Sequence, residues 1–149
     1  MADKILAKAL TAIGRKERTE AEMRQWLADR EVEPEEIDRV VSFLIENLAI
    51  DDARFADAYT ADKRELAGWG SERIEQKLRS RGISPALVQA AISREEEESE
   101  VDRAVRVLHD RDADLTDDRG RQKALGLLSR RGYSLEDAYA AIRRAGRDT

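Results

Sequence analysis

The chain spells one pattern three times. The breaks "REVEP" (30–34), "RGISP" (81–85) and "RGYSL" (131–135) bring their apolar neighbours into line. Leu27, Leu78 and Leu128 precede the breaks at offsets of 51 and 50 residues, and Val32, Ile83 and Tyr133 lie inside them. Ile37, Val88 and Ala138 follow, then Val41, Ile92 and Ile142. An offset this steady over several anchors signals a tandem repeat.

Each break reads as one helix ending and another beginning. Gly82 and Gly132 suit the left-handed conformation that closes a helix. Ser84 and Ser134 suit the next N-cap, and Pro34 and Pro85 the first helical position. The first copy has Glu31 for the glycine and Glu33 for the serine, which predicts a looser turn there. "TEAE" (19–22) is a capping-box pattern, while Asp51 with Asp52, and Ser71 after "GWG" (68–70), mark further helix starts.

Apolar spacing then predicts three helices per repeat. The first repeat offers Ile5, Leu6, Ala9, Leu10 and Ile13; Met23, Trp26 and Leu27; and Ile37, Val40, Val41, Leu44 and Ile45. The second offers Phe55, Ala58, Tyr59 and Leu66; Ile74 and Leu78; and Leu87, Val88, Ala91 and Ile92. The third offers Val101, Ala104, Val105 and Leu108; Ala124, Leu125 and Leu128; and Leu135, Ala138, Tyr139 and Ile142. No alternating run long enough for a strand occurs. The expected fold is all-α, with repeats over residues 1–49, 50–94 and 95–149. Units of about 50 residues bury little surface alone, so they should lean on one another in an elongated, curved body. The acidic run "REEEESE" (94–100) holds no helix breaker and is expected to be a solvated helical bridge.

Composition removes several function classes. The chain lacks cysteine, which excludes a disulfide framework or a thiolate nucleophile, and its single histidine, His109, excludes a multi-histidine metal site. No "GxxxxGK" loop occurs, and the carboxylates lack metal-site spacing. We therefore expect a non-enzyme with no cofactor, metal or small-molecule substrate. The N-terminus is apolar only in short pieces, so neither a signal peptide nor a membrane span is predicted and a cytoplasmic, monomeric protein is expected. The net charge of −5 argues against a surface that attracts nucleic acid everywhere. The charge is uneven, however: residues 51–94 carry net +1, and each flanking stretch carries −3.

At residues 50–83, "IDDARFADAYTADKRELAGWGSERIEQKLRSRGI" resembles the central motif of the RecX family, regulators of the RecA recombinase. Asp51-Asp52, Arg54-Phe55-Ala56, Ala58-Tyr59, Gly68-Trp69-Gly70, Arg73-Ile74, Leu78 and Arg81-Gly82-Ile83 carry the match. The resemblance implies a partner, the RecA filament on DNA, whose growth, ATPase and strand exchange such proteins mostly inhibit. It also implies a setting in homologous recombination, DNA repair and the SOS response. Asp57, Asp62 and Glu65 stand where the family is commonly richer in Arg and Lys. This leaves at most a weak direct contact with DNA.

Arg73, Lys77 and Arg81 follow one another at helical spacing, with Arg79 nearby and Lys63 and Arg64 near the end of the preceding helix. These six are the candidate partner-binding residues, set against a solvated face with intrahelical pairs to Glu72 and Glu75. Trp69 is expected to wedge between helices, and Phe55, Tyr59 and Trp26 to be core. Arg54 is expected to pair with Asp51 or Asp52. Two other functions fit the same pattern: a free-standing helix-turn-helix DNA-binding protein, and a helical-repeat scaffold for another protein.

Overall fold

The computed structural model describes residues 2–94 and 98–147. Among the described residues there are nine α-helices and no strand. They are α1 (Ala2–Arg15), α2 (Glu20–Asp29), α3 (Pro34–Glu46), α4 (Asp52–Ala67), α5 (Ser71–Ser80), α6 (Pro85–Ile92), α7 (Glu100–Asp110), α8 (Asp118–Arg130) and α9 (Leu135–Arg147). The all-α expectation and its helix starts hold. Thr19 and Glu22 form a reciprocal capping box on α2. Pro34 and Pro85 open α3 and α6. The Ser84 and Ser134 hydroxyls accept from the N–H groups of Leu87 (3.4 Å) and Asp137 (3.1 Å).

The three breaks share one hydrogen-bond scheme, and the looser first turn is overturned. Glu31 and Val32 donate to the carbonyls of Ala28 (2.9 Å) and Leu27 (3.2 Å). Gly82 and Ile83 bond Arg79 and Leu78 at the same distances, while Gly132 and Tyr133 bond Ser129 and Leu128 at 3.1 Å. Glu31 takes the left-handed conformation itself, φ 60°, beside 82° and 99° for the two glycines. Buried Leu27, with Val32 packed against its core, holds the turn in spite of a local cost of about 1–2 kcal/mol for a residue with a Cβ.

The chain divides into two compact units. The first comprises Met1–Ala56 and Leu78–Val88, with a core of Ala9, Met23, Leu27, Ile37, Val40, Val41, Leu44 and Ile50. The turn 81–83 seats on the start of α2. The Thr19 hydroxyl donates to the Arg81 carbonyl at 2.7 Å, and a Cβ on Gly82 would collide with that of Ala21. The second comprises Asp57–Lys77 and Gln89–Thr149, with Val107, Leu108, Leu128, Tyr133 and Ile142 prominent in the core where α7 packs on α8 and α9.

Three expectations are corrected. Leu10, Ile45, Leu66, Leu135 and Tyr139 are exposed, because the apolar stripe is wider than the face each helix buries. Arg54 pairs with neither aspartate: its guanidinium donates to the Leu48 carbonyl at 3.3 Å and lies 3.9 Å from Glu17. Asp51 instead caps α4 through the Arg54 N–H (3.0 Å), and Asp52 accepts from the Glu20 N–H (2.9 Å). In the acidic run, Arg94, Glu98 and Ser99 are not helical, and residues 95–97 of the expected bridge lie outside the described residues.

Candidate functional site

In the second unit the Gly-Trp-Gly loop joins α4 to α5, and its backbone is sewn to the turn between α8 and α9. Gly68 leaves α4 at φ 65°, and its carbonyl accepts the Tyr133 hydroxyl at 2.7 Å. Burial pushes that phenol far above its ordinary pKa, so it stays a neutral donor. The Gly70 N–H donates to the Arg131 carbonyl (2.8 Å), and the Glu72 N–H to that of Gly132 (3.1 Å). A Cβ on Gly70 would strike the Gly132 carbonyl, and one on Gly132 would strike Arg73. Both glycines are therefore required by close backbone approach, beyond the tight turn their sequence suggests.

This clamp presents Trp69 half-buried, edge-on to Tyr59 with ring centroids 6.3 Å apart. The Arg73 guanidinium lies 3.9 Å from the Trp69 ring centre and the Lys63 ammonium 4.7 Å from it. Cations over an aromatic face are each worth about 0.5–1 kcal/mol at exposed sites. Trp69 lines a shallow groove with Arg73, Arg111, Arg130, Arg131 and the apolar Leu66 and Leu127, and among the described residues no carboxylate lines it. Arg131 is fixed by donating to the Ala67 carbonyl at 2.8 Å, and Arg73 donates to the Arg130 carbonyl at 3.3 Å. Guanidinium groups held this way match carboxylates and phosphates in bidentate geometry, with apolar surface beside them for a flanking side chain.

Of the six candidate residues, Arg73 lines this groove, and Lys63 lies over the Trp69 ring without lining it. Lys77 and Arg79 are exposed on α5. Arg64 is buried: it donates to the Ser71 hydroxyl (3.0 Å) and the Ile92 carbonyl (2.9 Å), and lies 3.9 Å from Glu100. In the first unit Arg81 grips Glu22 through two bonds of 2.9 and 2.8 Å and lies over the Phe55 ring at 4.4 Å. Burial pushes the Glu22 carboxyl up, but the Arg81 guanidinium and the Thr19 N–H outweigh it and hold the carboxyl below its ordinary value. His109 is exposed on α7. Among the described residues no acidic or histidine cluster could hold a metal ion, and no helix is long and apolar enough to cross a membrane.

The sequence reading missed Arg111, Arg130 and Arg131. A signal existed for two of them, since "RRG" (130–132) occupies in the third copy the place of "SRG" (80–82) in the second. It missed as well the purpose of the acidic run. Glu100 takes both the N–H (3.1 Å) and the hydroxyl (2.7 Å) of Ser71 at the start of α5, and pairs with buried Arg103 at 2.5 Å. Glu98 pairs with Arg106 at 2.9 Å, which holds its carboxyl below the ordinary value against the opposing effect of burial.

The profile of the RecX first three-helix domain matches residues 6–44, and that of the second matches residues 51–92. The regulatory protein RecX of Halorhodospira halophila is 32% identical over 145 residues, covering 94% of this chain and 87% of that one. RecX of Lactococcus lactis is 33% identical over 101 residues, which span 66% of this chain but 37% of the longer relative. In fold, the crystal structure of RecX from Lactobacillus salivarius superposes with a TM-score of 0.84 at 19% identity, covering 97% of this chain and 96% of that one.

Proposed function

The chain belongs to the RecX family, and from that membership we propose that it binds the RecA recombinase filament and restrains its ATPase, growth and strand exchange. The observation that carries the proposal is the match to a regulatory protein over 94% of this chain and 87% of that one, at 32% identity. The repeats are read as 1–49, 50–94 and 95–149, working as a cytoplasmic monomer without catalysis of its own. Any ATP hydrolysis belongs to the recombinase. The Trp69 groove supports the contact: Arg73, Arg111, Arg130 and Arg131 form a cationic surface for an anionic face of the filament, Lys63 lies over the Trp69 ring, and Lys77 and Arg79 extend the cationic set on α5. Purified protein titrated into recombinase ATPase and strand-exchange assays tests it. Inhibition near stoichiometric amounts is expected, and unchanged rates would end the reading.

The four arginines of the groove lining favour a second reading, in which part of the affinity comes from DNA phosphates. Binding to naked DNA would then fall by about 0.9 log unit per log unit of salt for each phosphate contacted.

A further inference from the structure

A larger groove lies in the first unit. It has a volume of about 730 Å³, and Ile5, Trp26, Leu27 and Val32 form its apolar floor. Five carboxylates line it, Asp29, Glu31, Glu33, Glu35 and Glu36, against three cations, Lys8, Arg30 and Arg39. Two of those cations are engaged. Arg30 lies 3.7 Å from the Trp26 ring centre and donates to the Trp26 carbonyl at 3.1 Å, and Arg39 pairs with Glu36 Oε2 at 3.2 Å.

The helix dipole accounts for only part of this charge. Glu35 and Glu36 stand in the first turn of α3, where an anion is favoured. Asp29 and Glu31 stand at the C-terminal end of α2, where it is not. Glu31 is moreover held in the left-handed conformation that the other two repeats give to glycine. Glu36 Oε1 is buried and accepts no hydrogen bond among the described residues. An apolar floor thus sits beneath surplus negative charge and an acceptor that lacks a donor.

We propose that this groove docks a segment of a partner protein in which an apolar side chain is flanked by arginine or lysine. The apolar group lies on Trp26 and Val32, and the flanking cations pair with the exposed lining carboxylates, Glu31 and Glu35 first among them. The full chain carrying Trp69→Phe, so that Trp26 reports alone, is titrated with a short synthetic peptide holding one leucine between two arginines. A saturable change in Trp26 emission is expected, weakened by added salt. Glu35→Gln should lower the affinity about threefold. Glu31→Gly should lower the affinity while raising Tm by about 2–4 °C, a split that a purely structural role for Glu31 would not give. Glu31→Gln separates the charge from the backbone strain and should weaken binding with Tm unchanged. The proposal is overturned by the absence of saturable binding. Equal binding of a control peptide with glutamates for the arginines overturns it too, as does unchanged affinity in both Glu35→Gln and Glu31→Gln at preserved helicity.

Discussion

At the scale of single residues, the motif that marks this chain is largely a set of structural joints. Asp51 and Asp52 cap two different helices, and Arg81 holds Glu22 while covering Phe55. Arg81→Ala removes a partly exposed bidentate pair and should cost about 1.5 kcal/mol in urea unfolding at pH 7. The sign of its pH dependence follows from Glu22. A carboxyl held below its ordinary value adds stability above about pH 4.5 that is lost as pH falls through the folded-state value. The gap between wild type and Arg81→Ala should therefore shrink between pH 5 and pH 3, and a constant gap would show that Glu22 is not the partner that matters. Spacing along the chain placed Arg81 in a basic stripe with good reason, since helical periodicity records direction and not distance to a carboxylate on another helix. Glu22 lies 59 residues away, beyond what local pattern can reveal.

At the scale of elements, the helices and their ends were legible because their signals are local: caps, prolines, glycines and apolar period. The joints were not legible, because they depend on which turn meets which helix start. In the first unit the turn 81–83 seats on residues 19–22, and in the second the turn 131–133 seats on residues 70–73. The same joint is thus built twice at the repeat offset. Its tolerance to a side chain is low, so Gly70→Ala and Gly132→Ala should each destabilise by about 2–3 kcal/mol, the range of overpacked sites. Gly14→Ala, on open α1 surface, should be neutral or mildly stabilising. Differential scanning calorimetry on the three variants checks the contrast. The acidic run teaches the same lesson. Read as a solvated bridge, it in fact supplies Glu100 to Arg64, Ser71 and Arg103, and Glu100→Gln should cost about 1.5–2 kcal/mol by taking a charged partner from two buried guanidinium groups, Arg103 keeping Glu98 at 3.6 Å. Buried arginines are invisible to an apolar pattern, which is why Arg64 read as a partner-binding candidate.

At the scale of the whole molecule, the question is whether the proposed contact with the recombinase is made through overall charge or through one groove. With a net charge of −5, reversing any two arginines makes the chain four units more negative and weakens every anionic encounter alike. The Trp69 groove makes a different demand. Arg111 and Arg130 line it and are exposed, while Arg119 and Arg143 are equally exposed on α8 and α9 and do not line it. The paired variants Arg111→Glu with Arg130→Glu, and Arg119→Glu with Arg143→Glu, therefore have identical net charge. If the groove is the contact, the first pair should need about tenfold more protein for half-inhibition of recombinase ATPase, at up to 1 kcal/mol for each lost contact. The second pair should match wild type once salt is high enough to screen long-range attraction, above about 0.15 M. Equal losses in both pairs would assign the interaction to charge at large and remove Trp69 and its arginines from the binding surface. Arg81 belongs in neither pair, because its loss would confound binding with the fold of the first unit.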